Sequence, residues 1–262
     1  VKYRTFLARI PDTTLRKKVR AWVDRWVAKP ATLLGETFKS AKTEATGDAD
    51  VVRVLNLAPA DESHAVNLCP WASEACRVEC LRTSGHNVLP QAKVSRIGKT
   101  AVFMCFRTKF LARLRQDLRS LQRRAEGGLT VAVRLNNLSD VVWEKVVPGL
   151  FEEYPGIQFF DYTKSIDRTM SYLAGELAPN YHLTFSVDER DQTEEYADMV
   201  LSDDGVAAVV FAGDTLPETW NGYPVVDGDL SDATWAQAPG TVRGLRAKGA
   251  AKESTSGFAR TV

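Results

Sequence analysis

Three of the chain's four cysteines, Cys69, Cys76 and Cys80, fall within twelve residues in the spacing C-x6-C-x3-C. Three thiolates that close in sequence hold a metal ion or an iron–sulfur cluster and leave a coordination position for a fourth ligand or a substrate. A disulfide framework fits worse, because three is odd and only Cys105 remains to pair. For a zinc ion, His64 or His86 would complete a closed Cys3His set, with Cys105 as a further candidate ligand. A redox pair or incidental thiols are the remaining readings.

The elements around these thiols place them. Val51-Val-Arg-Val-Leu-Asn-Leu reads as a strand leading straight into the cysteine loop at 67–90, which Pro90 closes. A long helix is expected over about 91–125, with Phe103, Phe106, Phe110, Leu114, Leu118 and Leu121 on one stripe and Cys105 nearly opposite. After Gly127-Gly128 the pattern becomes strand, polar tip and helix, repeated. Strands are expected at Val131–Leu135, Ile157–Phe160, Tyr181–Phe185, Val206–Phe211 and Tyr223–Val226. With the strand before the cysteines this gives six parallel strands, hence an α/β fold: a partial or modified parallel (β/α) barrel, or a wound sheet.

Ligands in such folds sit at the carboxyl ends of the strands. The residues there are Arg134, Asn136, Asn137, Ser139 and Asp140, then Asp161 and Lys164, then Ser186 and Asp188. Asp140 and Asp161 have the chemistry of a general base or nucleophile, and Arg134 and Lys164 that of catalytic cations. Helix caps and turns favour the same residue types, so turn chemistry alone is the competing explanation. His182, inside a strand, reads as a hydrogen-bonded core residue. Gly244-Leu-Arg-Ala-Lys-Gly249 reads either as an anion-binding corner or as a plain basic turn. The P-loop, G-x-G-x-x-G, H-E-x-x-H and nucleophile-elbow motifs are absent from the sequence.

Domain organisation follows from pattern and charge. Residues 1–50 form a basic helical extension, whose Asp12–Lys29 segment repeats apolar residues at three and four; residues 51–262 form the barrel-like domain. Residues 1–130 hold 24 Lys and Arg against 12 Asp and Glu, and residues 131–262 hold 10 against 21, so a net charge of +1 conceals two opposed halves. The basic half is the footprint of a nucleic acid or another polyanion, or else it docks onto the acidic half. Arg96, Lys99, Arg107, Lys109 and Arg113 head the run of cations that would contact phosphates. No apolar run is long enough to cross a bilayer and the N-terminus lacks a signal-peptide core, so a cytoplasm with reduced thiols is expected. Oligomeric state is not legible.

Several motifs together resemble a phage-encoded family labelled gene product eighty-eight. They are Asn67-Leu-Cys-Pro-Trp-Ala-Ser with Cys76 and Cys80, Arg134-Leu-Asn with Ser139-Asp140, Phe160-Asp-Tyr-Thr-Lys164, Tyr181-His-Leu-Thr-Phe-Ser186 and Gly244–Gly249. The resemblance spans about residues 50–260 and implies a phage or prophage origin and a host-cytoplasm setting; it carries no activity. A looser similarity is to radical S-adenosylmethionine enzymes, which place three cysteines after the first strand of a partial barrel. It implies a [4Fe-4S] cluster on Cys69, Cys76 and Cys80, with S-adenosylmethionine on the open iron. It also implies methionyl contacts near Asn136, Asn137 and Ser139 and ribose contacts at Ser186 and Asp188; with the basic half to hold a polyanion, the expectation is an enzyme acting on a nucleotide or nucleic acid. The spacing departs from that superfamily's three-then-two, and Glu79 stands where it has an aromatic residue. The alternatives are a zinc-stabilised barrel that binds or modifies nucleic acid, and a non-enzymatic phage module that binds nucleic acid or a host protein.

Overall fold

Runs of apolar, largely β-branched residues are buried on both faces of a parallel sheet, and that burial organises this chain. The computed structural model describes residues 1–261. Helices α1 (Tyr3–Ala8) and α2 (Thr13–Ala28) precede β1 (Leu34–Gly35), α3 (Phe38–Ala45) and β2 (Val51–Leu55). The cysteine loop carries α4 (Glu74–Val78) and two short 3-10 turns, and α5 (Pro90–Cys105) and α6 (Arg107–Glu126) follow. Then come β3 (Val131–Arg134), α7 (Trp143–Val146), β4 (Ile157–Thr163), α8 (Ile166–Leu173), β5 (Tyr181–Ser186), α9 (Asp191–Ser202) and β6 (Val206–Phe211). The chain finishes with β7 (Thr219–Trp220), β8 (Tyr223–Asp227), β9 (Thr241–Arg246) and β10 (Ala259–Arg260).

The strands form one ten-stranded sheet in the order β1-β2-β3-β4-β5-β6-β9-β8-β7, with β10 added beside the late half of β6. Pairings from β2 through β6 to β9 and β8 are all parallel; only the short β1 and β7 pair antiparallel. The sheet is open. From β2 to β6 neighbours in space are neighbours in sequence, so right-handed crossovers put every connecting helix on one face. That face holds the main core: Val51, Leu55, Val131, Val133, Phe159, Tyr181 and Leu183 pack under α2, α5 and α6, and Phe185, Ala207, Val209 and Phe211 under α8 and α9. The other face is covered by α3 and the 228–238 segment, around Val52, Ala132, Phe160 and Trp235.

Two expectations change. The single long helix is two, because Phe106 leaves the helical region at φ −131°, ψ 46° and sets its ring 5.2 Å from that of Tyr3. Six strands become ten, the additions being β1, β7, β9 and β10. The N-terminal extension, besides, packs on the main core, with Phe6, Ile10, Val19, Val23 and Trp26 buried in the same cluster as α5. Gly98 permits that crossing: a Cβ there would overlap the ring of Trp22.

Candidate metal centre at the strand ends

The cysteine loop leaves the carboxyl end of β2 and is tied down by the ends of its neighbours. Asp140 N–H, after β3, donates to the Leu68 carbonyl at 2.8 Å. Ser73 caps α4 by accepting from Cys76 N–H at 3.1 Å and donates to Glu189 Oε2, after β5, at 2.6 Å. Arg190 reaches the Trp71 carbonyl at 3.1 Å, and Ala250 N–H, after β9, donates to Thr83 at 3.1 Å. All three thiols are thereby held over the carboxyl edge of the parallel sheet.

Cys69, Cys76 and Cys80 are half-buried and unoxidised. Burial pushes Cys69 up to about 12 and Cys80 up to about 11, with the neighbouring thiols adding to the rise in both, and it raises Cys76 as well. The three therefore share one electrostatic neighbourhood. Ala60 N–H donates to Cys69 Sγ at 3.2 Å, and that sulfur lies 3.5 Å from the Leu138 carbonyl. Among the described residues no three His, Cys, Asp or Glu side chains close on a point that could hold a single metal ion, so neither His64 nor His86 completes a set with the thiols. Cys105 ends α5, about 22 Å along that helix from the loop.

Of the strand-end residues, Lys164, Asp188 and Asp140 all act on the Cys76 thiol, and Asp140 acts on Cys69 as well. Lys164 Nζ donates to the Ser186 carbonyl at 3.1 Å, Ser186 Oγ at 3.2 Å and the Val187 carbonyl at 3.1 Å, with Asp188 at 3.6 Å. Both charges act on Cys76, Lys164 lowering and Asp188 raising its thiol. Burial pushes the Asp188 carboxyl up, but bonds from Arg190 and the charge of Lys164 overcome this and hold it below the usual range. Asn137 donates to Asn56 at 2.6 Å, joining the ends of β2 and β3.

The expected catalytic carboxylates are both tied into the strand ends by hydrogen bonds. Asp140 accepts from Thr163 Oγ1, Lys164 N–H and Arg168, whose buried guanidinium also binds Glu144. Asp161 is 1% exposed and accepts from Asn136 N–H, Asn136 Nδ2 and the Tyr181 hydroxyl. Asn136 in turn takes Ser139 Oγ, Val141 N–H and Trp143 Nε1 on its carbonyl oxygen. Every member is satisfied, so Asp140, Asp161, Asn136 and Ser139 are a brace that positions the β3 and β4 ends under the thiols. Arg134 points to the other face, stacked over Tyr162 at 4.4 Å and bonded to Asp232 at 3.2 Å.

Of the expected phosphate contacts, Arg96 is buried in a two-pronged pair with Glu62 at 2.7 and 3.0 Å. Lys99 is drawn inward to the Leu33 carbonyl at 2.8 Å, and burial lowers it to about 8. Arg107 lies over Phe103, and Arg113 pairs with Asp117 at 2.5 Å; Lys109 is exposed. The cations of the Gly244–Gly249 motif are matched by Asp227 and Asp229, and its first half is β9, so it is no empty anion corner. His182 sits inside β5 with the Tyr172 hydroxyl 2.7 Å from Nδ1, and burial lowers it to about 4.

Sequence reasoning missed Glu189, which ties Ser73 and Ala75 N–H, and Glu79, buried between Cys76 and Cys80 and holding Ser254 and Ser256. Only their positions beside Asp188 and Cys80 marked them. Two surface grooves follow α6, lined by residues of that helix and its neighbours and by none of the thiols. No helix among the described residues is long and apolar enough to cross a membrane.

Neither a curated protein nor a solved structure matches the chain, and nothing in the comparisons supports the likeness to radical S-adenosylmethionine enzymes. The sequence profile of the phage family described as Gene product 88 matches residues 29–261, nearly the whole length and all of the cysteine loop and sheet, and the chain belongs to that family.

Proposed function

We propose that this protein is a phage-encoded iron–sulfur enzyme, radical S-adenosylmethionine-like in type, acting on a nucleotide or nucleic acid. The observation that carries the reading is the gathering of three thiols from one loop over the carboxyl edge of a sequentially ordered parallel sheet, the strand order of a partial (β/α) barrel. Three thiols with no fourth protein ligand closing on them fit a closed Cys3His zinc site poorly. A tetrahedral zinc ion needs its thiolates about 3.8 Å apart, and no such closure exists among the described residues. A cluster binds each thiolate through a different iron and spreads them.

In this reading Cys69, Cys76 and Cys80 would hold the cluster, and the Ala60 N–H that donates to Cys69 Sγ would shift its potential. A three-thiolate cluster leaves one iron able to take a chelating sulfonium cofactor and supplies one-electron chemistry to it. Lys164, its three N–H donors spent on Ser186 and Val187 oxygens beside Asp188, would hold the adjoining strand ends in place and offset negative charge next to Cys76. Ser186 and Asn137 line the adjoining strand ends as neutral hydrogen-bonding groups.

Anaerobic purification, visible absorption and iron, sulfide and zinc analysis test this, with Cys76→Ala in parallel. Iron and sulfide in near-equal amounts with thiolate-to-iron absorption, lost in the variant, are expected. A colourless protein with one zinc retires the radical reading in favour of a zinc-stabilised barrel, and no metal at all leaves the thiols without a ligand.

A further inference from the structure

Side chains alternate between the two faces of a strand, and residues paired side by side on parallel strands share a face. Arg134 of β3, Tyr162 of β4 and Arg243 of β9 therefore project from the face opposite the helices, the one that carries Ala132 and Phe160. Onto this face α3 brings Lys39 and the 228–238 segment brings Asp232. Asp232 is their common partner, with Lys39 Nζ at 3.1 Å, Arg134 Nη1 at 3.2 Å and the Tyr162 hydroxyl at 3.2 Å. Arg243 lies close by, its charge acting on Asp232, Lys39 and Tyr162. Three cations thus share one carboxylate.

The nearby carboxylates do not make up the difference. Asp229 is taken by Lys248 and Arg246, and Asp48 is bonded to Thr46 and Ser231. Arg243, 3% exposed, gives its Nη groups to neutral acceptors only: the Gln237 side chain at 3.0 Å and the carbonyls of Gly228 at 3.1 Å and Ser231. Arg134, 8% exposed, bonds Asp232 through Nη1 alone. The buried Nε of each guanidinium has no partner among the described residues. Nor has the buried hydroxyl of Thr234, whose N–H donates to the Asp232 carbonyl at 2.8 Å. Burial lowers Lys39, and Arg243 and Arg134 add to the fall against the pull of Asp232. Buried cations are costly without counter-charge, and buried donors are seldom left without an acceptor.

We propose that this cluster is a binding site for a phosphate group, free or as a monoester, held by Lys39, Arg134 and Arg243. One carboxylate against three cations leaves two positive charges unmatched, which suits a divalent anion. Phosphate also offers several acceptor oxygens to donors arriving from different elements, and guanidinium forks match its geometry. Lys39, with a quarter of its side chain exposed, is the member that reaches the surface. The site uses no residue of the cysteine loop and its test needs no metal, so it stands or fails apart from the iron–sulfur reading.

Isothermal titration calorimetry of the purified full chain with sodium phosphate at about pH 8, where the ion is divalent, tests this against chloride of equal ionic strength. Saturable binding with a Kd of about 1 mM or tighter is expected. Arg134→Gln and Lys39→Gln each remove a surplus charge and leave Asp232 two cations, so both should fold, and each should weaken phosphate about tenfold or more. If Arg134→Gln fails to fold, Lys39→Gln, at the edge of the cluster, carries the test. Asp232→Asn, which adds to the surplus, should bind more tightly than the wild type. R123Q/R124Q, on exposed α6 positions, should bind as the wild type does. Adenosine 5′-monophosphate in place of phosphate separates the two sources: an equal or tighter hold identifies a monoester, and its exclusion identifies the free ion. A wild type that does not take up phosphate overturns the proposal. So does a folded Lys39→Gln or Arg134→Gln variant with wild-type affinity, or a loss in R123Q/R124Q equal to theirs.

Discussion

Asp161 and Asp232 are both closed off from water, at 1% and 3% exposure, yet they sit in opposite surroundings. Asp161 lies in the brace beneath the cysteine loop, where its bonds come from an amide, a carboxamide and a phenol. Asp232 lies on the other face of the sheet with Lys39 at 3.1 Å, Arg134 at 3.2 Å, the Tyr162 hydroxyl at 3.2 Å and Arg243 close by. Burial pushes both carboxyls up. For Asp161 it prevails, raising the group to about 7 against the pull of Arg134 and the Asn136 N–H. For Asp232 three cations overcome it and hold the group far below the usual carboxylate range. Neutral dipoles fix a carboxylate's position without fixing its charge; cations fix both. The two regions therefore carry different loads: one aligns strand ends beneath the thiols, and the other clamps α3 and the 228–238 segment to the sheet.

The largest expected effect comes from breaking the clamp. Asp232→Asn leaves Lys39, Arg134 and Arg243 facing one another without their shared counter-charge. Removing one partner from a buried ion cluster costs about 3–5 kcal/mol, and for a chain of this size each kcal/mol moves the melting temperature by about 2–4 °C. Scanning calorimetry should show a drop of about 10 °C. A loss below about 1 kcal/mol would mean that more distant carboxylates already neutralise the cluster, and the contrast with Asp161 would collapse.

Asp161→Asn sharpens the contrast through pH. A folded-state value raised to about 7 means that the folded chain binds this proton more tightly than the unfolded chain does. The stabilisation from Asp161 is thus full below an unfolded value of about 4 and falls as pH rises from there to about 7. Asp232 works the other way: its contribution is present above that unfolded value and is lost as pH falls through the depressed folded one. Urea denaturation of Asp161→Asn should therefore show a deficit of about 1–3 kcal/mol near pH 4.5, from weakened hydrogen bonds, that shrinks toward pH 7.5. A deficit constant across that range would show that Asp161 is ionised throughout.

The sequence disclosed the thiols and the strands far better than it disclosed the clamp. Val206–Phe211 is read with its observed bounds because both of its faces are apolar, a pattern only a buried strand produces. Residues Thr241–Arg246 carry Gly244 and two arginines and look like a turn. They become β9 because they pair with both β6 and β8, and Gly244 is required there since a Cβ would stand 2.6 Å from Val225 Cγ1. The helix break at Phe106 was hidden for a similar reason: the apolar stripe runs through it, and the packing of Tyr3, a hundred residues earlier, accompanies the change in the backbone. Lys39, Arg134, Asp232 and Arg243 come from α3, β3, a loop and β9, and no local spacing announces that they meet. The cysteine loop was legible because its three donors are close in sequence, whereas the hydrogen bonds that tie Asp140 and Asp161 into the strand ends were not, because bracing and catalytic carboxylates share residue types.

The smallest expected effect falls on the loop itself. Ser73 both caps α4 and ties it to Glu189, so Ser73→Ala removes a cap and one strand-end contact together. A lost cap costs about 1 kcal/mol, and melting should fall by only a few degrees, since the residue lies outside the main core. Hydrogen exchange should separate local from global effects: amides of Arg77 and Glu79 should exchange faster while those of β4 and β5 do not. Faster exchange everywhere would make the loop part of the sheet's cooperative unit, equal in rank to the clamp. Exchange confined to the loop would mark it as separately adjustable, and that is what three thiols not yet closed on a common point require if they are to shift onto a group larger than one ion. Threonine at position 73 keeps the hydroxyl and should restore wild-type exchange, which distinguishes the lost hydrogen bonds from a mere change of side-chain volume.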